Sequence, residues 1–272
     1  MIIVGERINS SRGPIARALE ARDAAFIQRE AALQVAAGAH YVDVNAGARV
    51  KDEAACLEWL VRVVQQAVDK PLCLDTPDPG ALAVALEQHR GKALVNSITA
   101  ERERYQAVLP LVKEYRCSVI ALCLSDAGMP GTAEEGVAIA GRLVDNLTAQ
   151  GIPLDDIYID PLVRPISVNY KSASIALETI GQVMARYPGV HTICGLSNVS
   201  FGLPGRRLVN RAFAVLARQR GLDAAILDPS DRELMACLVA AEALLGADEY
   251  CMNYIRAYRV GKLGPSREGQ GK

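Results

Sequence analysis

Histidine, tryptophan and phenylalanine are scarce: three, one and three among 272 residues. His40, His89 and His191 lie far apart and share no metal-ligand spacing, so no protein-ligated metal is expected. Neither sign of charge is in excess, since 30 Lys and Arg meet 31 Asp and Glu for a formal net charge of −1. That balance gives no electrostatic ground for binding nucleic acid or a membrane surface. No stretch approaches the roughly 18–20 unbroken apolar residues of a membrane span. The N-terminal "MIIVGERINSS" lacks the basic-then-apolar order of an export signal, and a cytoplasmic location is expected. Seven cysteines, at 56, 73, 117, 123, 194, 237 and 251, form no C-x-x-C, and most lie in apolar segments. They read as small buried hydrophobes in a reducing compartment. No apolar run is followed by G-x-G-x-x-G or G-x-x-x-x-G-K-[ST], which argues against an open doubly wound nucleotide-binding sheet.

What is abundant is a repeat of short apolar runs. They fall at 2–5, 40–45, 71–75, 92–97, 118–125, 156–160, 190–197 and 224–228, and they lack the alternation of half-exposed strands. Such runs fit strands buried on both faces, as in parallel sheets. Between them, helical spacing predicts helices near 23–38, 52–69, 79–89, 101–115, 133–150, 171–186, 207–220 and 231–245. Asp78 before Pro79, and Ser230 before Asp231, have helix-start chemistry. Eight strands alternating with eight helices, and no long linker, predict a single-domain α/β fold, a (β/α)8 TIM barrel over residues 1–258. The polar, glycine-rich 259–272 reads as a flexible tail. A Tyr-rich helix near 248–258 precedes it and suits either a partner surface or a homodimer contact.

Nearly every predicted strand ends in a polar residue: Asp43 and Asn45, Asp75, Asn96 and Ser97, Asp160, Ser197 and Asn198, and Asp228. In a barrel these ends open onto one face, where active sites form. Singly, each Asp or Asn also fits a turn or a helix cap; together they describe an Asp/Asn-rich cavity poor in His and Lys. Such a cavity suits a neutral, flat ligand rich in hydrogen-bonding edges. A pterin is one, because its 2-amino and N3–H groups offer adjacent donors to one carboxylate.

"GERIN" (5–9), "DVNAG" (43–47), "LCLDT" (72–76), "VNS" (95–97), "YIDPL" (158–162) and "GLSNVSFGLP" (195–204) stand in the order and spacing of a known family. Over about residues 1–258 the chain resembles the methyltetrahydrofolate:corrinoid methyltransferases of the pterin-binding superfamily. That group shares its barrel with the folate domain of cobalamin-dependent methionine synthase and with dihydropteroate synthase. The resemblance implies that Asp75, Asn96 and Asp160 hold the pterin, with Asp43 and Asn45 nearby. It also implies that Ser197 and Asn198 face the reacting edge, with Asn198 bonded to N5 as the catalytic residue, and that Gly195 lets backbone approach the ring. Glu6, Asn9, Ser97, Arg206, Arg207 and Asp228 are weaker or supporting members. The implied reaction moves a methyl group between N5 of methyltetrahydrofolate and the cobalt of a corrinoid. No D-x-H-x-x-G cobalamin motif is present, so the corrinoid is expected on a partner protein. The setting is one-carbon metabolism, either acetyl-CoA synthesis or demethylation of methoxylated or methylamine compounds. A dihydropteroate synthase-like enzyme and a non-catalytic folate-binding barrel are the alternatives. Against the first, no cation for a departing pyrophosphate follows strand seven before Arg206 and Arg207.

Overall fold

Period-two geometry sends successive strand side chains to opposite faces, and the buried clusters follow that rule. Val42, Val44, Leu72, Leu74, Ile157 and Ile159 pack outward in the main core beneath the helices. Val4, Cys73, Leu94, Ile120, Tyr158 and Ala224 form a separate cluster drawn from the other strand face. These fill the inside of a barrel, as identified in a computed structural model that describes residues 1–49 and 51–263. Its strands are β1 (Ile2–Asn9), β2 (Tyr41–Asn45), β3 (Leu72–Asp75), β4 (Leu94–Ala100), β5 (Ser118–Ser125), β6 (Ile157–Asp160), β7 (His191–Thr192) and β8 (Ala224–Leu227). All pair in parallel in the order β7-β6-β5-β4-β3-β2-β1-β8. The ring closes between β7 and β8 by a single bridge, Gly195 to Ile226, with Ile226 N–H donating to the Cys194 carbonyl at 2.9 Å. The fold is the expected (β/α)8 TIM barrel.

Ten helices wrap it among the described residues: α1 (Gly13–Ala21), α2 (Ala24–Ala36), α3 (Glu53–Val64), α4 (Pro79–Gln88), α5 (Arg102–Glu114), α6 (Ala133–Ala149), α7 (Ser172–Arg186), α8 (Arg206–Gln219), α9 (Arg232–Leu244) and α10 (Met252–Arg259). Asp78 caps α4 by accepting from Gly80 N–H at 2.8 Å, as its sequence context predicts. At α9 the cap lies one residue later than expected. Asp231 accepts from Leu234 N–H, while the Ser230 hydroxyl turns back to Asp228.

Four departures from the sequence reading bear on the site. β1 runs to Asn9 rather than ending at residue 5. Helix α1 has no counterpart in the expected set, although Ile15, Ala18 and Leu19 carry helical spacing and are its buried face. β7 is only two residues long, and residues 196–200 curl into a 3-10 turn, so Ser197 and Asn198 sit on that turn and not on a strand end. α10 continues through Arg259, past the expected domain end; the expected tail from residue 264 onward lies outside the described residues.

Candidate active site

Strand parity that buries Cys73, Leu94 and Tyr158 inside the barrel also turns Asp43, Asn45, Asp75, Asn96 and Asp160 inward at its C-terminal mouth. Register sets them level: Asn9 pairs with Asn45, Asn45 with Asp75, and Asp75 with Asn96. Two bulges complete the ring. A register shift between Gly5 and Ile8 puts Ile8 in the outer core while Glu6 and Asn9 both face the mouth. A second shift between Asn96 and Ile98 does the same in β4, with Ser97 as the extra residue.

The carboxylates are aimed by local bonds. Asn45 donates Nδ2–H to Asp75 Oδ2 at 2.7 Å, and its Oδ1 accepts from Gly47 N–H at 3.0 Å and Ser10 Oγ at 3.3 Å. Asn45 therefore acts as a strut that orients Asp75. Asp160 Oδ1 accepts from Leu162 N–H at 2.7 Å, across a turn that holds Leu162 at φ +64°. A left-handed non-glycine residue costs about 1–2 kcal/mol, so this bond fixes both the turn and the carboxyl. Asp43 is buried and its Oδ1 has no hydrogen-bond partner.

Burial dominates the electrostatics. Desolvation, reinforced by the negative charge of Asp75, pushes the Asp43 proton affinity well above the carboxylate range. Asp75 is raised by burial against the opposing bond from Asn45. Asp160 is raised by burial to about 7. Glu6 also reaches about 7, first through burial and then through the neighbouring Asp228 charge, with Arg12, Ser197 and Arg206 opposing. A mouth lined by carboxyls that titrate high is one that gains from hydrogen-bond donors brought by a ligand.

Asn198 stands at the edge of this ring. Its backbone N–H bonds to the Gly195 carbonyl at 3.2 Å, and its carbonyl accepts from Phe201 N–H at 3.2 Å. The turn is tied down by Arg206, which donates to the Ser197 carbonyl at 2.8 Å and to Ser200 Oγ at 3.1 Å. Among the described residues the Asn198 carboxamide takes no protein hydrogen bond, and the residue is exposed. A Cβ on Gly195 would lie 3.0 Å from Asn198 Nδ2, so the bare glycine leaves room for that carboxamide. An open cleft of ≈560 Å³ joins Glu6, Asn9, Ser197, Asn198, Arg206 and Asp228, with Arg207 at its rim. A cavity of ≈430 Å³ beside Lys92, Arg116 and Asp156 opens at the opposite end of the barrel, away from these groups.

Asp228 reaches the cleft but is already engaged. Its Oδ2 accepts from Arg7 at 3.0 Å, and its Oδ1 accepts from Ser230 N–H and Oγ at 2.9 and 2.6 Å. Sequence reasoning missed Arg104. From α5 its guanidinium donates to the Ser97 carbonyl at 3.0 Å, the Thr76 carbonyl at 2.9 Å and the Pro77 carbonyl. It thereby locks the loop after Asp75 to the bulge after Asn96. No short motif marks such a residue, because all three acceptors are backbone.

The pterin binding enzyme family matches residues 5–228. A methylcorrinoid:tetrahydrofolate methyltransferase of Eubacterium limosum is 37% identical over 267 residues, covering 97% of this chain and 98% of the relative. The methionine synthase of Mycobacterium tuberculosis is 30% identical over 244 residues, 85% of this chain but 20% of that much longer protein. Among solved structures, dihydropteroate synthases share the fold. The Xanthomonas albilineans enzyme superposes with a TM-score of 0.67 at 19% identity, covering 90% of this chain and 92% of that one. The Coxiella burnetii enzyme gives 0.68 at 16%, covering 91% and 94%. With a family match from the first strand to the end of the eighth, the chain belongs to the pterin-binding enzymes.

Proposed function

We propose that this protein is a methyltransferase moving a methyl group between N5 of methyltetrahydrofolate and the cobalt of a corrinoid carried on a separate protein. The observation that carries the reading is the inward ring of Asp75, Asn96 and Asp160 beside a turn that presents Asn198. Asp160, with one carboxylate oxygen uncommitted, accepts from the 2-amino and N3–H groups of the pterin. Asp75, aimed by Asn45, and Asn96, with its donor and acceptor together, bind the remaining heteroatoms of the ring, and Asp43 lies behind them. A site of this kind rejects ligands that leave its buried polar groups unpaired. Asn198 bonds to N5, and its bond strengthens as charge develops there, which is binding specific to the transition state. The full-length likeness to a protein named for the same reaction supports this assignment.

The corrinoid supplies a cobalt centre that accepts or donates the methyl group. The chain's part is to hold N5 in reach of it and to shield the transfer from water. Exposed apolar side chains stand on the loops that follow β5, β6 and β7, with Val168 and Tyr170 each 80% exposed, Phe201 64% and Met129 55%. They suit a docking face for the corrinoid protein. A second exposed patch (Leu244, Tyr250, Met252 and Tyr258) lies at the C-terminal helix, and we assign it to a homodimer contact in a cytoplasmic protein. The dihydropteroate synthase alternative wants cations for a leaving pyrophosphate, whereas the groups deepest in the mouth are carboxyls and carboxamides. The test is transfer from methyltetrahydrofolate to free cob(I)alamin, followed spectroscopically. Transfer establishes the reaction, and folate binding without transfer leaves only a folate-binding barrel.

A further inference from the structure

A methylated tertiary amine is a poor leaving group, so N5 must gain a proton as its bond to methyl breaks; in the opposite direction it must lose one. Asn198 cannot change protonation state in this range. The three histidines are at the other end of the barrel or outside it: His40 is bonded to Ile3 N–H, His89 to Leu72 N–H, and His191 to Asp223 and Asp155. Within the cleft that holds Asn198, the titratable groups are Glu6, Asp228 and the arginines Arg12, Arg206 and Arg207. Arginine stays charged. Asp228 has both oxygens committed to Arg7 and Ser230. Of these Glu6 alone remains, and it lines the cleft together with Ser197 and Asn198; Asp160, raised to the same range, is taken up by the 2-amino and N3–H groups in the reading above.

We propose that Glu6 exchanges the N5 proton, acting through Ser197 and cleft water. The inference rests on the methyltransferase reading above. When the N5–CH3 bond breaks, its electron pair stays on N5 and the Glu6 carboxylic acid delivers the proton there, becoming carboxylate. The new bond from cobalt to methyl takes its pair from the reduced corrinoid of the partner. In reverse, the Glu6 carboxylate removes the N5 proton as N5 bonds to methyl, and the cobalt keeps the pair of the broken bond. The surroundings set Glu6 for both duties. Burial and the Asp228 charge raise its proton affinity, while Arg12 and Arg206 pull it back; Asp43, facing it from β2, is itself pushed well above the carboxylate range by burial. The balance falls at about 7, where acid and carboxylate are both populated.

Single-turnover transfer from saturating methyltetrahydrofolate to cob(I)alamin, measured from pH 6 to 8.5, tests this directly. In the wild-type protein the rate falls as pH rises through about 7, because the acid form is required. Glu6→Gln loses about 10²–10⁴-fold in rate and loses that limb, while its affinity for methyltetrahydrofolate, read by calorimetry, stays within about threefold. Glu6→Asp recovers part of the rate. Glu6→Gln transferring at the wild-type rate with the wild-type profile overturns the role of Glu6 and leaves the methyltransferase reading standing. A rate loss matched by an equal loss of folate affinity also overturns it, by making Glu6 a binding group. No transfer by the wild-type protein overturns both. Where Glu6→Gln does not fold, Asp228→Asn serves, since removing the like charge moves the limb to lower pH; an unmoved limb overturns the proposal.

Discussion

The proton affinity of Asp160 makes folate binding depend on pH in a direction that can be worked out beforehand. Its carboxyl is raised to about 7 by burial, opposed only by the bond from Leu162 N–H. A pterin presenting two N–H donors favours the carboxylate, so binding must remove any proton that Asp160 holds. By about pH 8 the group is largely ionised and affinity nears its plateau. At pH 6 about one molecule in eleven is ionised, and affinity falls about 11-fold, or about 1.4 kcal/mol. Asp75 is also raised, and adds its own share in the same direction. Asp160→Asn separates the contributions. The amide keeps one acceptor but turns donors towards donors, and at about 1.5–3 kcal/mol for a hydrogen bond to a charged group the loss is about 10–150-fold in affinity. The variant's dependence between pH 6 and 8 is also shallower by the share of one proton. Calorimetric titration with methyltetrahydrofolate in two buffers of different ionisation enthalpy reads both affinity and proton release. An Asp160→Asn protein binding as tightly as the wild type, or a wild-type affinity that is flat from pH 6 to 8, refutes the reasoning.

Asn198→Ala should lower methyl transfer by about 10²–10³-fold, the scale for one preorganised donor. Its melting temperature should stay unchanged, since the exposed carboxamide holds nothing else in place; wild-type turnover counts against its role. Arg104→Lys keeps a cation but cannot span three carbonyls, so the loops carrying Asp75 and Asn96 come apart. KM for methyltetrahydrofolate should rise about tenfold with kcat less affected, and an unchanged KM in steady-state kinetics contradicts the clamp. At the seam of the barrel, Asp223 on the approach to β8 accepts from Thr192 N–H at 2.9 Å and pairs with His191 at 2.7 Å. Asp223→Ala should cost about 2–3 kcal/mol, a fall in melting temperature of about 4–12 °C, readable by calorimetry. The Asp223 bond raises the His191 proton affinity. The pair's stabilisation is therefore complete below the unfolded histidine value of about 6.5. It is lost as pH rises through the folded one, and Asp223→Ala should flatten that decline.

Much of the fold was legible because buried parallel strands are plain apolar runs and their helices carry helical spacing. Of the eight runs, β2, β3, β5 and β6 end on the residues expected. The polar residues at those ends were legible for the same reason: a carboxylate closing a run that is otherwise buried has no local partner and stands out. The seventh strand is shorter than its sequence suggests. Its apolar run continues through Ile193 and Cys194, while the backbone there pairs with β8 only at Gly195 before curling at Leu196. Helix α1 carries helical spacing at Ile15, Ala18 and Leu19, but a repeat of one helix per strand leaves no place for a second helix between β1 and β2.

By itself the sequence determined the period of the repeat, the eight buried strands, and which chemical groups close them, since these depend on neighbours within a few residues. The tertiary structure decided what those groups do to one another. A bulge in β1, invisible as a pattern, turned Glu6 and Asn9 to the same face. Three backbone carbonyls on separate loops gave Arg104 its place. Arg7 and Ser230 engage both oxygens of Asp228. The elevated proton affinities of Glu6, Asp43, Asp75 and Asp160 arise only when strands far apart in sequence close a ring that shuts out water, because the cost of charge depends on what surrounds it in space.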